Sequence, residues 1–169
     1  MGIAESRRAL LRGGSTPLAM NRRPPWTGED FTDRCTRCGD CVQACPEQVL
    51  APGDGGFPQV VFQGEGCTFC GDCADACPEP VFDLSRPAFE WTAQVQQPCL
   101  ALNGIHCQTC QDACEPMAIR FRPQLGRPPV PEISEDLCTG CFACAAVCPQ
   151  DAITLETPSP SPAREHVHG

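Results

Sequence analysis

The stretch that decides the fold reads Cys35-Thr36-Arg37-Cys38-Gly39-Asp40-Cys41-Val42-Gln43-Ala44-Cys45-Pro46. It contains four cysteines in the spacing C-x-x-C-x-x-C-x-x-x-C, followed directly by a proline. Cysteines at every third position can line one tight loop, and the fourth cysteine with its proline begins the departing chain. This spacing is typical of a loop that wraps an iron–sulfur cubane, because each of the four iron corners takes one thiolate.

The same pattern recurs along the chain. All 16 cysteines of the sequence fall in four quartets, and none is left over. The candidate ligands are Cys35, Cys38, Cys41 and Cys45; Cys67, Cys70, Cys73 and Cys77; Cys99, Cys107, Cys110 and Cys114; and Cys138, Cys141, Cys144 and Cys148. The text after each fourth cysteine is also similar between quartets, so the chain consists of four copies of one unit.

Other metal sites fit the spacing less well. A single tetrahedral zinc ion needs only two cysteine pairs, usually with a longer loop between them. A Rieske centre needs two histidine ligands, and His106 beside Cys107 lacks the required second motif. We therefore predict that the cysteines bind the iron of [4Fe-4S] clusters.

The third quartet departs from the pattern. Cys99 stands eight residues before Cys107 instead of three, and Glu115 separates Cys114 from Pro116. Five extra residues must loop out if Cys99 is to reach the same cluster. A fourth cluster is the preferred interpretation, and a three-ligand site or no cluster are the alternatives, so we predict three or four clusters.

The composition indicates that metal replaces a conventional core. Of 169 residues 41% are hydrophobic, a share that includes the cysteines, only 6% are aromatic, and there is no tyrosine. With 19 prolines and 15 glycines, helices and strands must be short. We predict an α+β, loop-rich, ferredoxin-like polyferredoxin built of paired [4Fe-4S] units that form two pseudo-twofold modules. The fourth cysteine of one unit would complete its partner's cluster, with pairing either sequential or nested.

The repeats divide the chain into six segments. They are a flexible basic arm (1–30), the first unit (31–60), the second unit (61–92), the irregular third unit (93–125), the fourth unit (126–156) and a disordered tail (157–169). Strands are expected at 59–62, 89–92, 119–121 and 153–155, where β-branched and aromatic residues concentrate.

Charge and targeting signals limit the partners. The formal net charge is −9, and thiolate-bound clusters add negative charge, so a nucleic-acid partner is disfavoured. No stretch is apolar enough for a membrane span, and the arm has no signal-peptide core. We therefore expect a cytoplasmic protein. No nucleotide-binding, hydrolase or metalloprotease motif is present, so we expect no enzymatic activity of its own.

Two further stretches carry a resemblance to a known family. The arm reads Ser6-Arg7-Arg8-Ala9-Leu10-Leu11-Arg12 without a hydrophobic continuation, and the third unit contains residues 104–116, Gly-Ile-His-Cys-Gln-Thr-Cys-Gln-Asp-Ala-Cys-Glu-Pro. Together with the four quartets, these stretches resemble the NapF family, the ferredoxin-type accessory proteins of periplasmic nitrate reductase systems. The resemblance implies a cytoplasmic protein with several [4Fe-4S] clusters, whose partner is the precursor form of the nitrate reductase catalytic subunit.

Two functions remain open at this point. The first is maturation of, and electron supply to, that catalytic subunit before its export. The second is a general electron-transfer subunit of a membrane-associated oxidoreductase, exchanging electrons with other redox proteins. Both need the same clusters, so the cysteine spacing does not separate them.

Overall fold

The computed structural model of the chain describes residues 22–62 and 64–157. Its α-helices are a single turn each, as the sequence predicts. They are α1 (Phe31–Arg34), α2 (Asp40–Ala44), α3 (Asp72–Asp75), α4 (Thr109–Asp112) and α5 (Ala143–Ala146). The last four lie within the cysteine quartets, where each carries the third cysteine or the residues around it. A helix this short does not form by itself in water, so its position depends on what its cysteines contact.

The described part of the chain contains six short strands, which form three antiparallel pairs. The strands are β1 (Leu50–Pro52), β2 (Pro58–Val60), β3 (Thr92–Val95), β4 (Ile119–Gln124), β5 (Arg127–Ile133) and β6 (Ile153–Glu156). β1 pairs with β2, β3 with β6, and β4 with β5. Every strand in these sheets is an edge strand, which explains why β5 tolerates three prolines.

The two halves of the chain repeat one strand arrangement. In the second half, β3 pairs with β6, and the hairpin β4–β5 lies between them in sequence. In the first half, Thr27 and Phe82 form an isolated antiparallel bridge, and β1 and β2 lie between them. The topology is therefore the same in both halves, with the outer strand pair reduced to one bridge in the first.

The core is small and partly made of cysteine. Cys41, Cys73 and Cys144 are buried alongside aliphatic residues such as Leu50, Ile119 and Leu155. Aromatic rings connect the two halves. Phe62 of the first half stacks on Phe142 of the second with 4.3 Å between ring centroids, and Trp91 stacks on Phe89 at 4.6 Å within the segment between the halves.

The predicted arm is wrong in its boundary. The structure describes residues 22–30 as part of the folded body, because Pro24, Pro25 and Thr27 are buried and the Trp26 N–H donates to Ala88 O at 3.0 Å. The rest of the arm, residues 1–21, and the tail beyond Thr157 lie outside the described residues. Residues 22–30 therefore belong to the folded body.

The strands also differ from expectation. The segment Phe89–Trp91 is irregular, and β3 begins only at Thr92, because the rings of Phe89 and Trp91 pack in the core between the halves. Strands β1 and β5 contain proline and are not predicted from the sequence. Among the described residues, no helix is long and apolar enough to cross a membrane.

We predict that removing iron unfolds the protein. One-turn helices and two-stranded sheets cannot offset the conformational entropy of this many loops, so bonds to metal must supply the difference. Chelation should abolish most of the far-ultraviolet circular dichroism and expose the chain to protease. An apoprotein that kept its dichroism and its protease resistance would contradict this account.

Candidate iron–sulfur centres

Each regular cysteine loop turns through two left-handed residues. The residues before and after the second cysteine have positive φ in the first, second and fourth quartets. The pairs are Arg37 (62°) and Gly39 (86°), Phe69 (56°) and Gly71 (88°), and Gly140 (71°) and Phe142 (75°). Such a backbone bends the loop around a central point and directs successive N–H groups inward. Each loop thus combines one left-handed glycine with one left-handed non-glycine residue, and only the second is strained.

The thiols of the first two quartets form two groups. Burial raises the pKa of Cys41 to about 11, and the negative charges that add to this effect are those of Cys77, Cys35 and Cys38. Cys77, the fourth cysteine of the second quartet, therefore lies with the first three cysteines of the first quartet. α2 packs against α3, which brings the two loops together.

The reciprocal group lies on the second loop. Burial raises the pKa of Cys73 to about 12, with further contributions from Cys67, Cys45, Cys41 and Cys70. Cys45, the fourth cysteine of the first quartet, thus lies among the first three cysteines of the second.

The third and fourth quartets repeat the exchange. Burial raises the pKa of Cys110 to about 11, and charges on Cys99, Cys107 and Cys148 raise it further. Burial also raises the pKa of Cys144 to about 12, with added effects from Cys141, Cys138, Cys114 and Cys110. Cys99 lies beside Cys107 and Cys110 despite its displaced position in the sequence, and α4 packs against α5.

The five extra residues after Cys99 are folded into a closed turn. The Asn103 side chain donates to Gln97 O at 2.7 Å and to Cys99 O at 2.9 Å, and Gly104 is left-handed with φ of 79°. The role of Asn103 is not among the predictions from the sequence, although an Asn-Gly pair is a recognised turn signal. His106 lies exposed beside this turn.

Backbone N–H groups point at several cysteine sulfurs. Ala118 N donates to Cys114 Sγ at 3.2 Å, Ala152 N to Cys148 Sγ at 3.3 Å, and Ala93 N to Cys138 Sγ at 3.3 Å. Such hydrogen bonds stabilise negative charge on the sulfur and tune the potential of an iron–sulfur cluster.

The donor set fits a cubane. All 16 cysteines are free, and the buried thiols stand in groups whose deprotonation would crowd negative charges that a cationic iron core would neutralise. Within residues 22–62 and 64–157, no three His, Cys, Asp or Glu side chains converge closely enough to hold one metal ion. A [4Fe-4S] core binds each thiolate at a separate iron, so its ligands need not converge on one point.

Comparison with known proteins defines the class. A family profile described as the 4Fe-4S dicluster domain matches residues 34–81 and again residues 105–154. The chain is therefore a ferredoxin-type iron–sulfur protein with repeated domains for multiple [4Fe-4S] clusters. Proteins of this class transfer electrons and are in general not enzymes.

The relatives narrow the class to one family. The chain is 45% identical over 160 residues to the ferredoxin-type protein NapF of Escherichia coli K12, covering 92% of this chain and 97% of that protein. It is 44% identical over 163 residues to the Haemophilus influenzae NapF, covering 88% and 92%. The ferredoxin-type protein NapG of H. influenzae is 28% identical over 173 residues, covering 88% and 60%. The chain belongs to the NapF family of ferredoxin-type proteins.

We predict that Gly71→Ala speeds cluster loss. Gly71 has φ of 88° and nothing within 4 Å of an added Cβ, so alanine there adds only backbone strain, about 1 kcal/mol. The strain acts on the backbone of the loop between Cys70 and Cys73. Gly126→Ala is the matched control, because Gly126 has φ of 70°, is equally open, and lies in the β4–β5 turn. Loss of visible absorbance in a chelator should be faster only for Gly71→Ala, and equal rates would contradict the role of the loop.

Proposed function

We propose that the chain forms two sequential modules and holds four [4Fe-4S] clusters by crossed ligation. In each module, three cysteines of one quartet and the fourth cysteine of the other bind one cluster. Site I is Cys35, Cys38, Cys41 and Cys77; site II is Cys67, Cys70, Cys73 and Cys45; site III is Cys99, Cys107, Cys110 and Cys148; and site IV is Cys138, Cys141, Cys144 and Cys114. The reciprocal grouping of the thiols supports this assignment over nested pairing and over quartets that serve only themselves.

The chain's own residues would bind and shield the clusters. A bound [4Fe-4S] cluster supplies reversible one-electron chemistry. Buried cysteines such as Cys41, Cys73 and Cys144 would keep one side of each core away from water, and the backbone N–H groups described above would lower the charge on the sulfurs.

We infer that the protein acts in the cytoplasm on the catalytic subunit of a periplasmic nitrate reductase before that subunit is exported. In this role it would aid maturation and supply electrons. The observation that carries the proposal is the family membership, 45% identity over 92% of the chain to a NapF protein, together with a fold that provides cluster sites. Nothing in the cysteine geometry requires a substrate pocket, which agrees with an accessory role.

Charge supports a protein partner with a basic docking face. The chain's net charge is −9 before clusters are counted, and three glutamates, Glu47, Glu65 and Glu115, line a cleft that also includes Cys67 and Cys141. Opposite charges on a partner would steer it to this cleft, next to two cluster sites. The basic residues Arg7, Arg8 and Arg12 offer a second recognition element of opposite sign.

The alternative is a general electron-transfer polyferredoxin of a membrane-associated oxidoreductase. It is favoured by the same cluster sites and the same acidic cleft. The two functions differ in their partner, because only the first requires a stable complex with an unexported catalytic subunit.

We predict that double cysteine variants reveal the crossing. If Cys45 belongs to site II, then Cys45→Ala with Cys70→Ala removes one cluster, whereas Cys45→Ala with Cys38→Ala removes two. Four clusters carry about 16 irons, so the variants should retain about 12 and about 8 irons per protein. Uncrossed ligation gives the opposite order, and iron analysis of the purified variants distinguishes the two.

We predict that residues 1–21 contribute to partner capture. A truncation of these residues removes no cysteine and none of the packed segment 22–30, so iron content should stay unchanged while capture of the nitrate reductase precursor falls. The comparison variant carries Glu65→Lys and Glu115→Lys and reverses charge at the cleft. Capture is measured by affinity purification from cytoplasm with mass spectrometry for the precursor. If truncation leaves capture unchanged and the cleft variant abolishes it, the precursor binds at the acidic cleft and not through residues 1–21. If neither change affects capture, the proposed docking is wrong.

A further inference from the structure

The two halves of the molecule meet at two cysteine loops. The Cys67 N–H donates to Cys141 O at 2.8 Å, which joins the loop of the second quartet to that of the fourth. The Trp91 indole N–H donates to Gly140 O at 2.9 Å, one residue earlier in the same loop. Phe62 stacks on Phe142 on the other side of Cys141, with the rings 8° from parallel. Three successive residues of the fourth quartet's loop are thus held by the first half and by the segment between the halves.

Two glycines permit this close approach. A Cβ added at Gly66 would lie 2.7 Å from Ala143 N and 2.7 Å from Cys141 O. A Cβ at Gly140 would lie 2.7 Å from Trp91 O and 2.7 Å from its Cδ1. A side chain at Gly66 would therefore push the second and fourth loops apart. A side chain at Gly140 would push the fourth loop away from Trp91, which stacks on Phe89 and through it contacts Phe69 of the second loop.

The fourth loop is altered where it meets the first half. In the first two loops the residue after the second cysteine is glycine, and the residue before it is Arg37 or Phe69. In the fourth loop the order is reversed, with Gly140 before the cysteine and Phe142 after it. A phenylalanine in the left-handed region is strained, and it is retained here where its ring stacks on Phe62.

We propose that Gly66 and Gly140 are positioning residues that hold cluster sites II and IV next to each other, so that the four sites form one row in the order I, II, IV, III. This inference rests on the ligation proposed above. Sites I and II share one module, and sites IV and III share the other, because the fourth cysteines are exchanged within each module. The contact between Cys67 and Cys141 then links II to IV. Sites I and III stand at the two ends of the row.

The four cluster sites follow one another in a different order in space than in the sequence. This spatial order determines which sites a partner can reach. Partners that approach the junction meet sites II and IV, whereas partners that approach either end meet site I or site III. The acidic cleft is lined by Cys67 and Cys141, so it gives access to the middle of the row.

The experiment uses the intact iron-loaded protein and four forms of it: wild type, Gly66→Ala, Gly140→Ala and Gly126→Ala. Gly126→Ala matches Gly140→Ala in backbone strain, since the φ angles are 70° and 71°, but its Cβ meets nothing within 4 Å. Iron per protein is measured first. A wild-type value well below about 16 would count against the four proposed clusters, separately from the positioning role tested next.

Two readouts then test the positioning. Amide hydrogen exchange of the 66–70 peptide should be about tenfold faster in Gly66→Ala, because the Cys67 N–H loses its acceptor. In the chemically reduced protein, paramagnetic clusters broaden each other's electron paramagnetic resonance signals. Part of this broadening should disappear in Gly66→Ala and Gly140→Ala and persist in Gly126→Ala. Wild-type exchange and wild-type spectra in both junction variants, at equal iron content, would overturn the proposal.

A further variant keeps the proposal testable if Gly66→Ala loses its clusters. If Gly66→Ala does not retain iron, Phe62→Leu addresses the same question, since it removes the ring stack and inserts no atom between the loops. The same change in the spectrum is then expected. A spectrum identical to that of the wild type in Phe62→Leu would reject the junction as the feature that sets the spacing.

Discussion

The rest of the structure depends on gathering thiol groups from two distant points of the chain around one centre. Buried, mutually close thiols such as Cys73 and Cys144 have their pKa raised to about 12, so without metal they remain protonated and contribute little. An iron core reverses this situation, because iron binds cysteine as the thiolate and neutralises the negative charges of the neighbouring thiolates. The one-turn helices and two-stranded sheets have little stability of their own, and their role is to deliver cysteines to these points.

The backbone carries strain where it bends around each centre. Arg37, Phe69 and Phe142 occupy left-handed conformations that cost an ordinary residue about 1 kcal/mol or more. Each is held by a contact of its ring or guanidinium group: Arg37 lies 5.1 Å from the centroid of Phe57, and Phe69 and Phe142 pack against aromatic rings of the core. At these three loops, packing that involves aromatic rings therefore compensates for backbone strain.

The sequence reveals the cofactor and the short elements but not how the units pair. Quartet spacing follows from the chemistry of one loop, so it can be read locally. Pairing depends on contacts between loops, and four similar units permit both sequential and nested arrangements. The packing of Pro24 and Pro25 was missed for a related reason, because proline signals a turn or a linker and gives no sign of burial. Strand β5 contains three prolines and is possible only because its sheet has two strands. The number of strands in a sheet is set by the tertiary structure and is not visible in a local stretch of sequence.

Loop closure explains why sequential grouping is the more economical solution. Bringing Cys77 to Cys41 closes a loop about one third as long as bringing Cys148 there, and this difference is worth roughly 1 kcal/mol for that closure. In the proposed sequential arrangement both modules would fold from local contacts, which favours rapid folding. The consequence is that few interactions are left to fix one module against the other. A small contact must therefore hold one module against the other. In this contact Gly66 and Gly140 are as important as the aromatic rings, because the loops can meet only where no side chain stands between them.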